Sequence, residues 1–361
     1  MKCLVFGNLQ QNDLFGDFYL NSSNCNDFIK SQEFNGLGTF SYGLHLSNQD
    51  VTEYRSIPFK NYHWDIRKHL CKFQLELESV NPKISLNRIS KLNQDFYQFI
   101  ENNSFDTFFT REIFSFTKEY LEFIKKSFSI RILWLSFSPG LAPFEGWQDK
   151  LSYFTHIFLV DQKGVDFLKK KGYNAYYLPF AMSDFKCAKY AQNKKYSVGF
   201  IGTIYPDRMK LLNALTQFDF HFWSGNFEED SQVMYPDLLS NFEGKAWGNN
   251  MLVRTAEIEI LINPIHRGYM LGQEDNVSNF RNFECIGTNT FQISEDKQAI
   301  RDIFDEDEIA FYKDIIDLND KLKFYLKHKD LRQKMLNKAF NKVSKDHMYS
   351  HRMKKIINIL K

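Results

Sequence analysis

Cysteine is scarce and unpatterned in this chain. Cys3, Cys25, Cys71, Cys187 and Cys285 are odd in number and show no C-x-x-C spacing, which argues against a disulfide framework or a zinc site. Charge of one sign is missing too: 46 basic and 44 acidic residues leave a formal net charge of +2, so no global field favours nucleic acid. No window approaches the apolar length of a membrane span. At the amino end, one lysine and the short apolar run Cys3 to Phe6 fall short of a signal peptide, which makes the cytoplasm the expected compartment. No repeat of fixed period and no low-complexity tract is present, excluding solenoids and disordered arrays. No G-x-G-x-x-G follows the first apolar run, which argues against an NAD-dependent oxidoreductase.

What the chain does have is length and aromatic rings. Its 361 residues suffice for two α/β domains, each with its own core. Most of the 37 phenylalanines must be core, and a surplus of this size leaves room for exposed rings that meet a substrate or a membrane surface. The basic runs Lys169 to Lys171, Lys194-Lys195 and the cluster Arg352, Lys354, Lys355 read as solvated faces that could also touch anionic headgroups.

Along the chain, apolar runs alternate with helical spacing. Lys2 to Phe6 reads as a strand leading into Gly7 and a polar loop up to Gly16, where Asn8, Gln10, Asn12 and Asp13 stand at a strand's carboxyl end, the usual place for ligands in open α/β sheets. Phe59 to Ile100 reads as helix, Phe105 to Thr110 as strand with Glu112 just beyond, Ile113 to Ser127 as helix, and Ile130 to Phe137 as strand broken by Ser138-Pro139-Gly140. That order predicts a doubly wound parallel domain. The polar stretch MSDFKCAKYAQNKK between Ala181 and Tyr196 suits a hinge, giving domains 1–185 and 186–345 and a closing helix, 346–361. Strands of the second domain are expected near Phe218 to Trp223, Glu257 to Asn263, Thr290 to Ile293 and Ile309 to Tyr312, followed by amphipathic helices Leu318 to Lys327 and Asp330 to Ser344.

Two local patterns carry chemistry. In NVSNFRNFECIGTNTFQI, Asn276 to Ile293, Phe280 and Phe283 are spaced for the buried side of a short helix that Ser278 or Asn279 can cap and Gly287 can end. Such a helix start offers free N–H groups to phosphates, Arg281 adds a planar cation, and Glu284 can accept from ribose hydroxyls. In YSVGFIGTIYPDR, Tyr196 to Arg208, a strand, a turn at Gly202 and a helix opened by Pro206 make a second phosphate-binding geometry. Either pattern alone is also what an ordinary amphipathic helix or βα junction looks like.

Taken in order, Val198-Gly-Phe-Ile-Gly202 with Tyr205-Pro-Asp-Arg208, Leu261-Ile-Asn-Pro-Ile-His266 and Asn279-Phe-Arg-Asn-Phe-Glu284 resemble the CgeB-like glycosyltransferases of bacteria, within the GT-B group. His156 to Pro179 resembles the strand, helix and YLP strand that end that family's first domain, and Tyr325 to Arg332 with His347 to Arg352 resembles its closing helices. The likeness covers roughly Ile130 to the carboxyl end; Met1 to Ser129 agrees only in general pattern. It implies a GT-B fold, two Rossmann-like doubly wound domains facing each other across a cleft, with the acceptor on 1–185, the nucleotide sugar on 186–345, and 346–361 crossing back to the first domain.

The activity implied is transfer of a sugar from a nucleotide-diphosphate sugar to a hydroxyl of a glycan, polysaccharide or lipid-linked acceptor, with no metal or other cofactor and with peripheral contact at the inner face of the membrane compatible. Gly202, Thr203, Arg208, Asn279, Arg281 and Glu284 would hold the donor nucleotide: N–H groups at Gly202 and Thr203 and the two arginines at the diphosphate, Glu284 at the ribose, Asn279 chiefly as a cap. His266 would approach the transferred sugar or a phosphate. Many retaining GT-B enzymes carry paired glutamates separated by seven residues, and the position eight before Glu284 is Asn276 in this chain, so retention is not implied. An inverting transfer needs a general base, for which Asp13, Asp17 and Glu112 are candidates; the family's acidic residue after the strand matching Ile130 to Phe137 is replaced by Ser136, Ser138 and Pro139. A non-catalytic sugar-nucleotide or glycan binding subunit and a sugar-nucleotide epimerase on the same scaffold remain as alternatives.

Overall fold

The computed structural model describes residues 1–8, 40, 43–44, 46–56, 96–111, 113, 116–136, 147–184, 193–227, 235–246, 248–265 and 278–361. They form two compact units, one of Met1–Leu178 with Met353–Lys361 and one of Pro179–Arg352. The chain thus divides after Leu178 and after Arg352, where the sequence placed boundaries after 185 and 345.

The first unit contains a parallel sheet of β1 (Lys2–Asn8), β2 (Asp50–Ser56), β3 (Thr107–Thr110), β4 (Ile130–Leu135), β5 (His156–Leu159) and β6 (Ala175–Tyr177), ordered β2-β1-β3-β4-β5-β6. A strand covered on both faces needs apolar residues at every position rather than alternately, and Ile132, Leu133, Trp134 and Leu135 are all buried. The edge strand β2, with the polar sequence DVTEYRS, lacks that signature and was not anticipated. Helix α1 (Lys118–Ser127) starts where the Thr117 hydroxyl accepts the Tyr120 N–H, and buries Tyr120, Leu121 and Ile124. Helix α2 (Gln162–Lys170) starts at Asp161, whose carboxylate accepts from the N–H groups of Lys163 and Gly164 at 3.1 and 2.7 Å; a carboxylate there also suits the positive end of the helix dipole.

The second unit has a parallel sheet of β7 (Tyr196–Ile201), β8 (Phe220–Trp223), β9 (Ile258–Asn263), β10 (Phe291–Glu295) and β11 (Ala310–Tyr312), ordered β11-β10-β9-β7-β8. Its helices include α3 (Pro206–Asn213), α4 (Gly248–Glu257), α5 (Phe280–Gly287), α6 (Ile315–Lys327), α7 (Lys329–Asp346) and α8 (Tyr349–Leu360), the last passing into the first unit from Met353. Among the described residues no helix is long and apolar enough to cross a membrane, and Cys3 and Cys285 are buried free thiols.

In two of the basic runs one member turns inward, while Lys195, Lys354 and Lys355 stay exposed. Lys194 donates to Ala256 O, Asn289 O and Thr290 Oγ1 at 2.9, 2.8 and 3.1 Å, and burial draws its pKa down to about 8. Arg352 is buried and donates to the carbonyls of Pro179 and Phe180, each at 3.0 Å. Both long side chains satisfy carbonyl oxygens that would otherwise be buried without donors, so Arg352 is not placed to meet headgroups.

Candidate functional site

From β7 the chain moves to β8 on one side, and β9 then joins on the other. The carboxyl ends of β7 and β9 therefore flank a topological switch point, where open α/β sheets leave a crevice for ligands. Gly202 and Thr203 follow β7, Asn263 ends β9, and α5 begins beside them.

The turn after β7 is fixed by a residue from the next strand's end. Asn226 Oδ1 accepts the Ile204 N–H at 2.8 Å and its Nδ2 donates to Ile204 O at 2.6 Å. Gly202 has φ +152°, and a Cβ there would lie 2.5 Å from Arg281 Nη2, so its missing side chain is what admits the guanidinium. Its N–H donates to Trp223 O at 3.0 Å. This corrects the expectation that the Gly202 N–H faces phosphate; the Thr203 N–H is the one with no partner among the described residues.

Helix α5 opens with a capping box: Asn279 Oδ1 accepts the Asn282 N–H at 3.1 Å, and Asn282 Oδ1 accepts the Asn279 N–H at 3.0 Å. Asn279 and Asn263 exchange amide hydrogen bonds at 2.9 and 3.2 Å. Asn282, fully buried, reaches Gln292 Oε1 and Ser294 Oγ on β10 at 3.2 and 3.3 Å. Phe283, Cys285 and Ile286 bury the helix's apolar side, and the Phe280 ring meets that of Phe180 at 4.1 Å. The helix ends at Gly287, and the left-handed residue that follows is Asn289, φ +56°. So anchored, α5 carries Arg281 and Glu284 one turn apart on its remaining side.

Arg281 lies over the Phe200 ring, 5.6 Å from its centroid, with Nη1 donating to Asn263 Oδ1 at 3.4 Å. It has no ion-pair partner among the described residues, and burial holds its pKa below the ordinary arginine range. The Glu284 carboxyl likewise has no hydrogen bond or ion pair among them; burial pushes its pKa up to about 7, with the Arg281 charge working against the shift. The Ser278 hydroxyl, just before the cap, is buried without a partner. A cation without an ion pair and a carboxyl and a hydroxyl without hydrogen bonds, all within two turns of this helix's start, can take an anion and a pair of hydroxyls.

Arg208 takes a different part from the one expected. It is buried over Phe200 and Tyr205, and its terminal nitrogens donate to Thr203 O and Pro264 O at 2.7 and 2.9 Å. It therefore braces the β7 and β9 loops against each other. Asp13, Asp17, Glu112, His266 and Asn276 lie outside the described residues. Sequence reasoning missed Asn226, Asn263, Asn282 and Glu295, the last accepting the Ile265 N–H at 3.0 Å. The one signal for Asn263 and Glu295 was a polar residue closing an apolar strand.

Solved structures share this architecture. HepE of Anabaena, in complex with UDP and glucose, superposes with a TM-score of 0.57 at 12% identity over 100% of this chain and 99% of that one. Sucrose-phosphate synthase of Thermosynechococcus elongatus gives 0.58 at 8% identity over 99% and 98%. The fold is GT-B. TarM gives 0.52 at 11% identity over 73% of this chain, which spans 57% of TarM's length. A family model described as glycosyl transferase-like matches residues 208–358; within the GT-B fold it takes in Arg208, Asn263, Arg281 and Glu284 but stops short of Gly202 and Thr203. No curated protein matches the sequence.

Proposed function

We propose that the protein is a glycosyltransferase, of the CgeB-like kind, that moves a sugar from a nucleotide-diphosphate sugar to a hydroxyl of a glycan or polysaccharide acceptor. The observation that carries this reading is the pair Arg281 and Glu284, one turn apart on α5: among the described residues Arg281 meets only neutral groups, Asn263 and the Phe200 ring, and forms no ion pair, and the Glu284 carboxyl has neither hydrogen bond nor ion pair. A half-buried charge without a counter-charge is costly to keep, and a bound nucleotide diphosphate supplies an anion for Arg281 and hydroxyls for Glu284. Arg281, the Thr203 N–H and the N-terminus of α5 meet the diphosphate, while Glu284 accepts from the ribose hydroxyls. As the glycosidic bond breaks, negative charge grows on the departing diphosphate, and preorganised donors stabilise it without reorganising. Arg208 supports the loops around that anion, Asn279 caps the helix, and His266 is the proposed contact to the transferred sugar or a phosphate.

The complexes of HepE with UDP and glucose and of S. aureus TarM with UDP and alpha-GlcNAc-glycerol support the choice of a nucleotide-sugar donor. Asp13 and Glu112 are the proposed bases for the acceptor hydroxyl, no metal is required by the scheme, and the protein works in the cytoplasm or at the inner face of the membrane.

Thermal stabilisation by UDP, GDP, ADP, TDP and CMP tests the donor site in the wild type and Glu284→Ala. A ligand at about 100 times its dissociation constant adds roughly 2.7 kcal/mol to the folded state. One nucleotide is expected to raise the melting point, and less so in the variant. No shift with any of the five would sink the reading, and binding without consumption of the matching nucleotide sugar in the presence of acceptor glycans would favour a binding subunit.

A further inference from the structure

Asn263, the last residue of β9, is fully buried, and among the described residues its side chain makes polar contacts to Asn279 and Arg281 at the start of α5 and to Ser294 on β10. Its Oδ1 accepts from Asn279 Nδ2 at 2.9 Å and from Arg281 Nη1 at 3.4 Å; its Nδ2 donates to Asn279 Oδ1 at 3.2 Å and to Ser294 Oγ at 3.5 Å. The Arg281 guanidinium is further bounded by the face of Phe200 and by the space that Gly202 leaves open. All three groups that aim this cation are therefore uncharged. A carboxylate at 263 would hold the guanidinium more strongly, since charge-assisted bonds are about twice as strong as neutral ones. It would also neutralise it. A neutral amide aims the group without itself neutralising it, at the cost of burying a side chain that has to be fully hydrogen-bonded.

We propose that Asn263 is a positioning residue for the donor: it orients Arg281 toward the diphosphate while leaving that cation's charge available to the anion. This rests on the nucleotide-sugar reading of the same site. Asn263 does not touch the reacting atoms; it acts through Arg281 and through the cap at Asn279.

The test compares wild type, Asn263→Asp and Asn263→Ser by calorimetric titration with UDP, GDP, ADP and TDP and with the four matching nucleosides. For the diphosphate that the wild type binds, Asn263→Asp is expected to weaken affinity by about tenfold or more, with the nucleoside's affinity held within about twofold. Asn263→Ser, which loosens Arg281 without neutralising it, falls between the two. Equal losses for diphosphate and nucleoside, or no loss for either, would show that Asn263 only holds the fold together and overturn the proposal. If Asn263→Asp does not fold, Asn263→Ser carries the comparison; failure of both to fold overturns it as well. A wild type that binds none of the four diphosphates would instead remove the donor-site reading, and this inference with it.

Discussion

In the first unit the space against the sheet is filled with rings: Phe6 lies 5.2 Å from Phe96, 5.7 Å from Phe108, 5.2 Å from Phe116 and 6.3 Å from Tyr120, centroid to centroid. Around the carboxyl ends of β9 and β10 in the second unit, the buried groups include the amides and hydroxyl of Asn263, Asn282, Gln292 and Ser294. Rings leave water at a gain in free energy. Amides leave it at a loss unless each donor and acceptor finds a partner, and here they find one another. One region is built for stability, and the other holds a helix start, Arg281 and Glu284 in a fixed geometry that stability alone would not call for.

Breaking the ring cluster should have the largest effect. Phe6→Ala is expected to cost about 3–5 kcal/mol, the range for deleting a buried phenylalanine, while nucleotide affinity per folded molecule stays as it was. Urea denaturation followed by titration of the folded fraction checks both halves. A variant that stays stable but binds poorly would mean the two regions are not separate in function.

Next comes the acidity of Glu284. Its folded pKa of about 7 stands above the ordinary value of 4.5. Between those two values the unfolded chain has already lost the proton that the folded chain keeps, so stability of the ligand-free protein falls as pH rises through that window and levels off above it. Burial, the larger cause, sets the sign, with Arg281 offsetting part of it. The full penalty is roughly 3 kcal/mol at most. Glu284→Gln should remove this slope and be the more stable protein at pH 8; melting curves from pH 4 to 9 with the same slope in both proteins would contradict the burial.

Arg281→Met tests the cation in the same spirit. Charge-assisted hydrogen bonds to a buried group contribute about 1.5–3 kcal/mol each, so diphosphate affinity should drop by roughly tenfold to a hundredfold. Because the cation has no ion-pair partner among the described residues, the ligand-free protein should melt no lower than wild type. A large loss of stability without ligand would mean that its 3.4 Å bond to Asn263 and its place over Phe200 hold the fold more than they aim a cation.

How far the sequence foretold these regions follows from the range of the interactions. VGFI and ILIN announce buried parallel strands because both faces need apolar residues, and DVTEYRS does not, because an edge strand has one neighbour and tolerates polar residues. The start of α5 was legible because Asn279, Phe280 and Phe283 act within one turn. Whether a cation in a first turn faces a ligand or folds back was not: Arg208 bonds to Pro264 O, 56 positions away, and nothing local distinguishes it from Arg281. The amides of Asn263 and Asn226 meet partners 16 and 22 positions away, so a single asparagine after a strand looked like any turn residue. The same holds for Arg352 and Lys194, whose carbonyl partners become neighbours only once the sheets have formed.

The smallest effect sharpens the comparison most, because it sets one polar loss in each region side by side. Thr117→Ala removes the hydroxyl that caps α1, and Asn226→Ala removes the amide that clamps the turn at Ile204. Each is expected to cost about 1 kcal/mol of stability. Only the second should also weaken nucleotide binding, by several-fold, because the turn it holds carries Thr203 and lies against the Arg281 guanidinium through Gly202. Matched melting curves with unmatched titrations would support a division between a unit that is merely stable and a turn held in place for a ligand. Equal losses of affinity in the two variants would mean that binding follows global stability, and Asn226 would then be one more loop residue.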